Sequence, residues 1–388
     1  MPDAPTATIP SSMLPTDGRF GSGPSKVRPA QVAALAAAGD PAAPVLGTSH
    51  RQPPVKNVVR RVRRGVAELF ALPAGYEVAL GNGGSTAFWE VATASLVRRR
   101  AQHAVFGEFG GKFAAATARA PFLEDPQVVE AAPGTVARLD GALGASGGVD
   151  VYATPHNETS TGAVAPVAQV PGARADGALL LVDATSGAGG LPVDVADTDV
   201  YYFGPQKAFA ADGGLWLALC SPAAVERAAT VEAGAGPDGR WVPEFLSLTT
   251  ALANSRADQT LNTPAVATLV MLADQVEWLL ERGGLAWSTA RCAESAGVLY
   301  DWATTRDWAS PFVTDAAERS TVVVTVDLDD AIDASAVVAV LRAHGILDVF
   351  PYRKLNRNQL RVGVFPAVEP DDVRALVACV DHVVAQLS

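Results

Sequence analysis

Lysine is scarce in this chain, which holds only Lys26, Lys56, Lys112, Lys207 and Lys354 among its 388 residues. Lys207 is the one whose surroundings could alter its chemistry. It closes the segment Gly204-Pro-Gln-Lys207, directly after an apolar run at 200–203 and shortly before another at 215–220. An ammonium held between apolar segments loses hydration, which lowers its pKa and favours the neutral amine. A neutral amine can attack a carbonyl and form a Schiff base. A loop lysine reaching into solvent fits the same local sequence equally well, so the motif needs independent support.

Asp183 supplies part of that support. It ends the apolar run Leu179-Leu-Leu-Val-Asp183, 24 residues before Lys207, which leaves room for a crossover and one further strand. A carboxylate there can face the nitrogen of a pyridine ring and keep it protonated. A protonated ring draws electrons from a neighbouring carbanion and acts as an electron sink. Alone, an aspartate at a strand end reads more often as a helix cap or a metal ligand.

A candidate anion cradle lies earlier. Leu80-Gly-Asn-Gly-Gly-Ser-Thr-Ala-Phe88 follows a short apolar run and opens a helix-like stretch to Val97. Glycines let backbone N–H groups approach an anion, and a helix start adds favourable partial charge. Gly84 and Ser85 sit at the turn. No Gly-Lys-Ser/Thr follows, and the glycine spacing is wrong for a dinucleotide fingerprint. Phe109, in Gly107-Glu-Phe-Gly-Gly111, is an aromatic on an expected loop that could stack on a flat ring or fill the core.

These groups need a scaffold that brings them to one edge. Short apolar runs at 77–80, 104–106, 149–153, 179–182, 200–203 and 215–220 alternate with helix-like stretches. That rhythm predicts an α/β fold, a mostly parallel sheet wrapped by helices, with its site at the carboxyl ends of the strands. A long helix over 264–282 follows Asn262-Thr-Pro264. Beyond it, a strand at 321–327, a helix at 334–344, a strand at 359–364 and a helix at 370–387 suit a smaller α+β domain. The expected division is a flexible tail over 1–18, a large domain over 19–271 whose first residues are able to pack on the small one, and a small domain over 272–388. Arg98, Arg99 and Arg100 are expected to close the helix after the cradle.

Composition narrows the partners. With 49% hydrophobic and 18% charged residues the chain reads as globular. A net charge of −11 disfavours nucleic acid. Cys220, Cys292 and Cys379 form no metal or disulfide spacing, and the first twenty residues lack a signal-peptide pattern, so the expected location is the cytoplasm. No apolar run approaches the roughly 20 residues of a membrane span.

Taken with Ser49-His-Arg51, His156-Asn-Glu-Thr159, Asp183-Ala-Thr-Ser186 and Leu360-Arg361, these motifs resemble the class-V aminotransferases, fold-type-I enzymes of pyridoxal 5'-phosphate, and within them the phosphoserine-using branch. The likeness runs from about Gly21 to the final helix. It implies that Lys207 binds the cofactor covalently and shuttles a proton, and that Asp183 pairs with the pyridinium. Phe109 would stack on the ring, and Thr159 would contact its oxygen side. Gly84, Ser85 and Gln206 would hold the cofactor phosphate, joined by Asn262 and Thr263 from a neighbouring subunit, so a homodimer is implied. Arg361 would grip the substrate α-carboxylate, with Ser22, His50 and Arg51 also on the substrate side. The implied reaction moves an amino group between glutamate and 3-phosphohydroxypyruvate, giving O-phosphoserine and 2-oxoglutarate in serine biosynthesis, with a related step of vitamin B6 synthesis as a further implication.

One departure stands out. Many relatives carry an arginine where this chain has Ser85, and a His-Arg pair shortly before the carboxylate arginine. Here Arg353, Lys354 or Arg357 is left to supply that charge. The rival readings are a class-V aminotransferase of unphosphorylated serine or alanine, with glyoxylate or pyruvate, and a non-catalytic binding module. A cysteine desulfurase fits poorly, because none of the cysteines lies on an expected mobile loop.

Overall fold

A computed structural model describes residues 7–234 and 240–387 of the chain. The apolar runs form the strands of a central sheet: β1 (Glu77–Asn82), β2 (Ala101–Val105), β3 (Gln127–Glu130) and β4 (Val151–Pro155). A short hairpin, β5 (Asn157–Glu158) with β6 (Ala163–Val164), follows, and then β7 (Leu179–Asp183), β8 (Val200–Phe203) and β9 (Leu215–Cys220). The seven-stranded order is β1-β9-β8-β7-β4-β2-β3. The strands from β8 through β3 run parallel, and β9 is antiparallel to both its neighbours. β7, β8 and β9 are buried at every residue, as a sheet covered on both faces requires.

Helices α1 (Pro29–Ala37), α2 (Pro53–Leu69), α3 (Gly84–Ser95), α4 (Glu108–Ala118), α5 (Gly141–Ser146), α6 (Pro222–Glu232) and α7 (Leu248–Arg256) surround this sheet. On α2 the buried face is Val55, Val58, Val59, Val62, Val66 and Leu69, at helical spacing. Burying each such side chain contributes roughly 1.5–3 kcal/mol. That face packs on α8 (Val266–Arg282), which also covers α1. A second sheet, β10 (Ala309–Pro311), β11 (Val323–Leu328) and β12 (Gln359–Gly363), is antiparallel. It carries α9 (Gly284–Thr304), α10 (Ala334–Ala343) and α11 (Pro370–Leu387), with its own apolar core.

Several expectations are corrected. Of the expected flexible tail, residues 1–6 lie outside the described residues, while residues 7–18 are anchored. Ala7 and Ile9 are buried in the core of the second sheet, and the Thr8 backbone N–H donates to Gln386 Oε1 at 3.1 Å. Strand β2 starts earlier than expected because Gln102 and His103 are polar yet internally satisfied, by Gln127 and Asp140 and by Thr117. Arg98 and Arg99 do not close α3. They follow its end, and their backbone N–H groups donate to the Asp150 carboxylate at 2.9 and 2.7 Å. Phe109 is not on a loop but in the first turn of α4.

Candidate active site

The carboxyl edge of the central sheet collects the chemistry. Asp183 is the last residue of β7, and Lys207 sits in the turn after β8. Phe109 follows β2, and Asn157 and Thr159 follow β4. Two antiparallel steps, through β9, give β1 the same direction as β8, so α3 also begins at this edge. Together they line a cavity of about 380 Å³. Gly84, Ser85, Phe109, Thr159, Asp183, Gln206 and Lys207 all face it, as expected from the sequence.

Lys207 is 7% exposed, and its Nζ donates to the carbonyl of Ser22 at 2.5 Å. Burial, reinforced by the Arg361 guanidinium, holds its amine down at about 7. The other buried lysine, Lys26, is paired with Asp17 and Asp372. Lys207 has no such salt bridge among the described residues. Its Nζ lies 6.0 Å from the Phe109 ring. The lysine fits beside the chain only because Gly23 has no side chain: a Cβ there would overlap the end of the Lys207 side chain, and the φ of +141° disfavours any other residue.

Asp183 is 7% exposed and held from both oxygens. Trp89 Nε1 and Tyr202 Oη donate to Oδ2 at 2.9 and 3.2 Å. The Thr185 backbone N–H and hydroxyl donate to Oδ1 at 3.0 and 2.5 Å. The Thr185 hydroxyl also lies 2.7 Å from Ser85 Oγ. It has one proton, so when it donates to Asp183 the serine must donate to it.

Gly83 and Gly84 have φ of +107° and +74°, a left-handed path that turns the first N–H groups of α3 toward the cavity. No side chain caps that end. A Cβ at Gly84 would meet only the Leu215 carbonyl oxygen, at 3.9 Å, an ordinary contact, so the φ of +74° and not crowding is what favours glycine there. Phe109 is fixed by Glu158, whose buried carboxylate accepts the backbone N–H groups of Phe109 and Gly110 at 3.0 and 3.1 Å. Burial pushes the Glu158 carboxyl up, and these hydrogen bonds oppose the shift.

Ser22 and Arg361 do not line this cavity and are positioned by the second sheet. Gly363 at the end of β12 donates its N–H to the Phe20 carbonyl at 2.8 Å, which lays Gly21-Ser22 beside that strand. Arg361, also on β12, is 9% exposed, and its Nη1 donates to the Thr159 carbonyl at 3.1 Å. No carboxylate pairs with it among the described residues. Its Nε is buried without a partner, as are Ser22 Oγ, Gln206 Oε1 and Asn157 Oδ1. Buried polar atoms left so are rare unless something else binds there. A flat, phosphorylated, aldehyde-bearing ring suits this set: an amine, a carboxylate, an open helix start and an aromatic face.

His50, Arg51, Asn262 and Thr263 do not join this cavity. They form a separate group, in which Thr263 Oγ1 lies 3.2 Å from His50 Nδ1, Asn82 Nδ2 donates to Asn262 Oδ1 at 2.7 Å, and Arg51 donates to Gln259. Asn262, Thr263 and Arg51 are exposed. The candidate charges near Arg361 also differ. Lys354 pairs with Glu108 and Arg357 with Asp327, whereas Arg353 is exposed and has no ion-pair partner among the described residues.

Sequence reasoning missed Trp89, Tyr202, Thr185 and the role of Glu158. A signal for Trp89 existed, since it lies four residues after Ser85 and therefore on the same helix face.

Comparisons with known proteins agree with the fold. The family model described as aminotransferase class-V matches residues 21–347. A phosphoserine aminotransferase of Rhodococcus opacus is 55% identical, over 98% of this chain and 99% of that one. Among solved structures, a phosphoserine aminotransferase from Cytophaga hutchinsonii superposes with a TM-score of 0.83 at 21% identity, covering 94% of this chain and 99% of the other. A ureidoglycine–glyoxylate aminotransferase from Bacillus subtilis gives 0.81 at 21% identity, covering 96% and 94%. At such identity the two structures speak for the fold alone.

Proposed function

Since the chain belongs to the class-V aminotransferase family, we propose that it is a phosphoserine aminotransferase, exchanging an amino group between glutamate and 3-phosphohydroxypyruvate. O-Phosphoserine and 2-oxoglutarate are the products, which fits a step of serine biosynthesis. The family implies pyridoxal 5'-phosphate, which when bound supplies an aldehyde to hold the amino group and a ring to accept electrons from Cα. One observation carries the reading: a buried amine, without a salt bridge among the described residues, and a buried carboxylate share a cavity with an open helix start.

In this reading Lys207 Nζ would hold the cofactor's aldehyde carbon, and its amine would move the proton at Cα of the substrate. Its lowered pKa leaves much of the amine neutral near pH 7. Asp183 would hold the proton on the ring nitrogen. Phe109 would cover one face of the ring, and Thr159 would meet its oxygen side. Gly84, Ser85 and Gln206 would hold the phosphate. Arg361, buried and without a carboxylate partner among the described residues, would orient the substrate carboxylate, for which a planar guanidinium is suited, and Ser22 would join it on the substrate side.

The reading extends to a cytoplasmic homodimer. Asn262 and Thr263 stand exposed and apart from the chain's own cavity, as residues reaching a neighbour's phosphate would. His50 lies against Thr263 and Arg51 is the next residue, so they would reach the neighbour's substrate together. The proposed working division is a cofactor-binding unit over 19–271 and a smaller unit over 272–388.

Turnover tests the substrate. With glutamate as donor, 3-phosphohydroxypyruvate should exceed glyoxylate and pyruvate by at least about a hundredfold in kcat/KM. Preference for either unphosphorylated acceptor would overturn the phosphoserine assignment.

A further inference from the structure

We propose that Trp89 and Tyr202 are positioning residues that jointly aim the Asp183 carboxylate at the ring nitrogen of the cofactor. This inference rests on the proposed function and adds two residues to it.

The terminal torsion of an aspartate is broad, so a carboxylate held from one side can swivel. In this chain the holds come from separate elements. Thr185, in the turn after β7, fixes Oδ1 through its N–H and hydroxyl. Oδ2 is fixed by Trp89 from α3 and by Tyr202 from the neighbouring strand β8. Both are donors with nowhere else to turn. The indole N–H is donor-only, and Trp89 is 5% exposed. Tyr202 is fully buried, and burial together with the Asp183 charge keeps its hydroxyl protonated. The rings themselves are locked. Trp89 stacks on Phe113 at 6.3 Å between centroids, and Tyr202 lies 4.4 Å from Phe88. Trp89 also lines the cavity, whereas Tyr202 stands behind it. The plane of the carboxylate is therefore set by α3, β8 and the β7 turn before any cofactor enters.

Loss of either donor to Oδ2 frees the carboxylate to turn, and the ring nitrogen loses its proton more readily. A less positive ring makes the attached lysine nitrogen more basic.

The test uses Trp89→Phe, Tyr202→Phe and the wild type, each stripped and reloaded with pyridoxal phosphate. Two quantities are read: the dissociation constant of pyridoxal phosphate, and the pH midpoint of its visible absorbance when bound. Trp89→Phe should bind about tenfold more weakly, and Tyr202→Phe a few-fold. In both, the absorbance midpoint should move upward by about half a pH unit or more. Tyr202→Phe keeps the ring and its packing, so the test stands even if Trp89→Phe does not fold. Midpoints equal to wild type would overturn the inference. So would a downward shift, which would mean that the two donors compete with the ring nitrogen for Asp183 instead of aiming it. A wild type that fails to take up pyridoxal phosphate at all would instead overturn the proposed function.

Discussion

Glu158 and Phe109 are joined through the backbone: the Glu158 carboxylate accepts the Phe109 N–H at 3.0 Å, then that of Gly110 at 3.1 Å, while its other oxygen takes the Ser160 hydroxyl at 2.8 Å. A buried acid thus caps the start of α4 and sets where the Phe109 ring stands. Glu158→Ala leaves those N–H groups buried without an acceptor. It should destabilise the protein by about 2 kcal/mol, read from urea unfolding, and loosen cofactor binding. Glu158→Gln retains one acceptor oxygen and should fall between the two.

Arg361 offers a charge that no carboxylate among the described residues pairs with. Arg361→Ala should lower kcat/KM for glutamate by about a hundredfold or more, while pyridoxal phosphate still binds. Arg361→Lys should recover little, because a point charge lacks the planar fork. Steady-state kinetics with cofactor titration separates the two effects.

Gly23→Ala places a methyl group against the Lys207 side chain at a φ that alanine disfavours. The folded protein should survive, since Gly23 is exposed. Covalent attachment of the cofactor should fall at least about tenfold, read from its absorbance, as the lysine is driven from its place.

The buried amine also sets a pH dependence in the cofactor-free protein. The folded state holds the Lys207 amine at about 7, against the ordinary lysine value of 10.5. Between those values the unfolded chain binds more protons, so stability rises with pH across that window. The cost of the charged amine is complete below about pH 7 and gone above pH 10.5. Lys207→Met removes it. The variant without cofactor should therefore be more stable than the wild type at pH 6.5, with the advantage fading toward pH 10. Denaturant midpoints across pH measure this, and a pH-independent difference would contradict the burial of an ionisable amine.

Much of this was legible from residues alone. Asp183 and Lys207 announced themselves because each ends or follows an all-apolar run, the mark of a strand covered on both faces. The glycine-rich turn and the open start of α3 followed from backbone freedom. What stayed hidden depends on contacts across elements. Gln102 and His103 look unlike strand residues until Gln127 and Thr117 satisfy them. Ala7 and Ile9 look like tail until the core of the second sheet receives them. The motif segment holding Glu158 was visible, but the capping of α4 is a tertiary fact. The separation of His50, Arg51, Asn262 and Thr263 from the cavity likewise cannot be read from spacing.

The central claim is that Lys207 carries the cofactor. Borohydride reduction of the protein loaded with pyridoxal phosphate, followed by peptide mapping, tests it directly. The account predicts a single pyridoxyl label on the peptide containing Lys207. A label on Lys26, Lys56, Lys112 or Lys354 in its place, or no label, would contradict it.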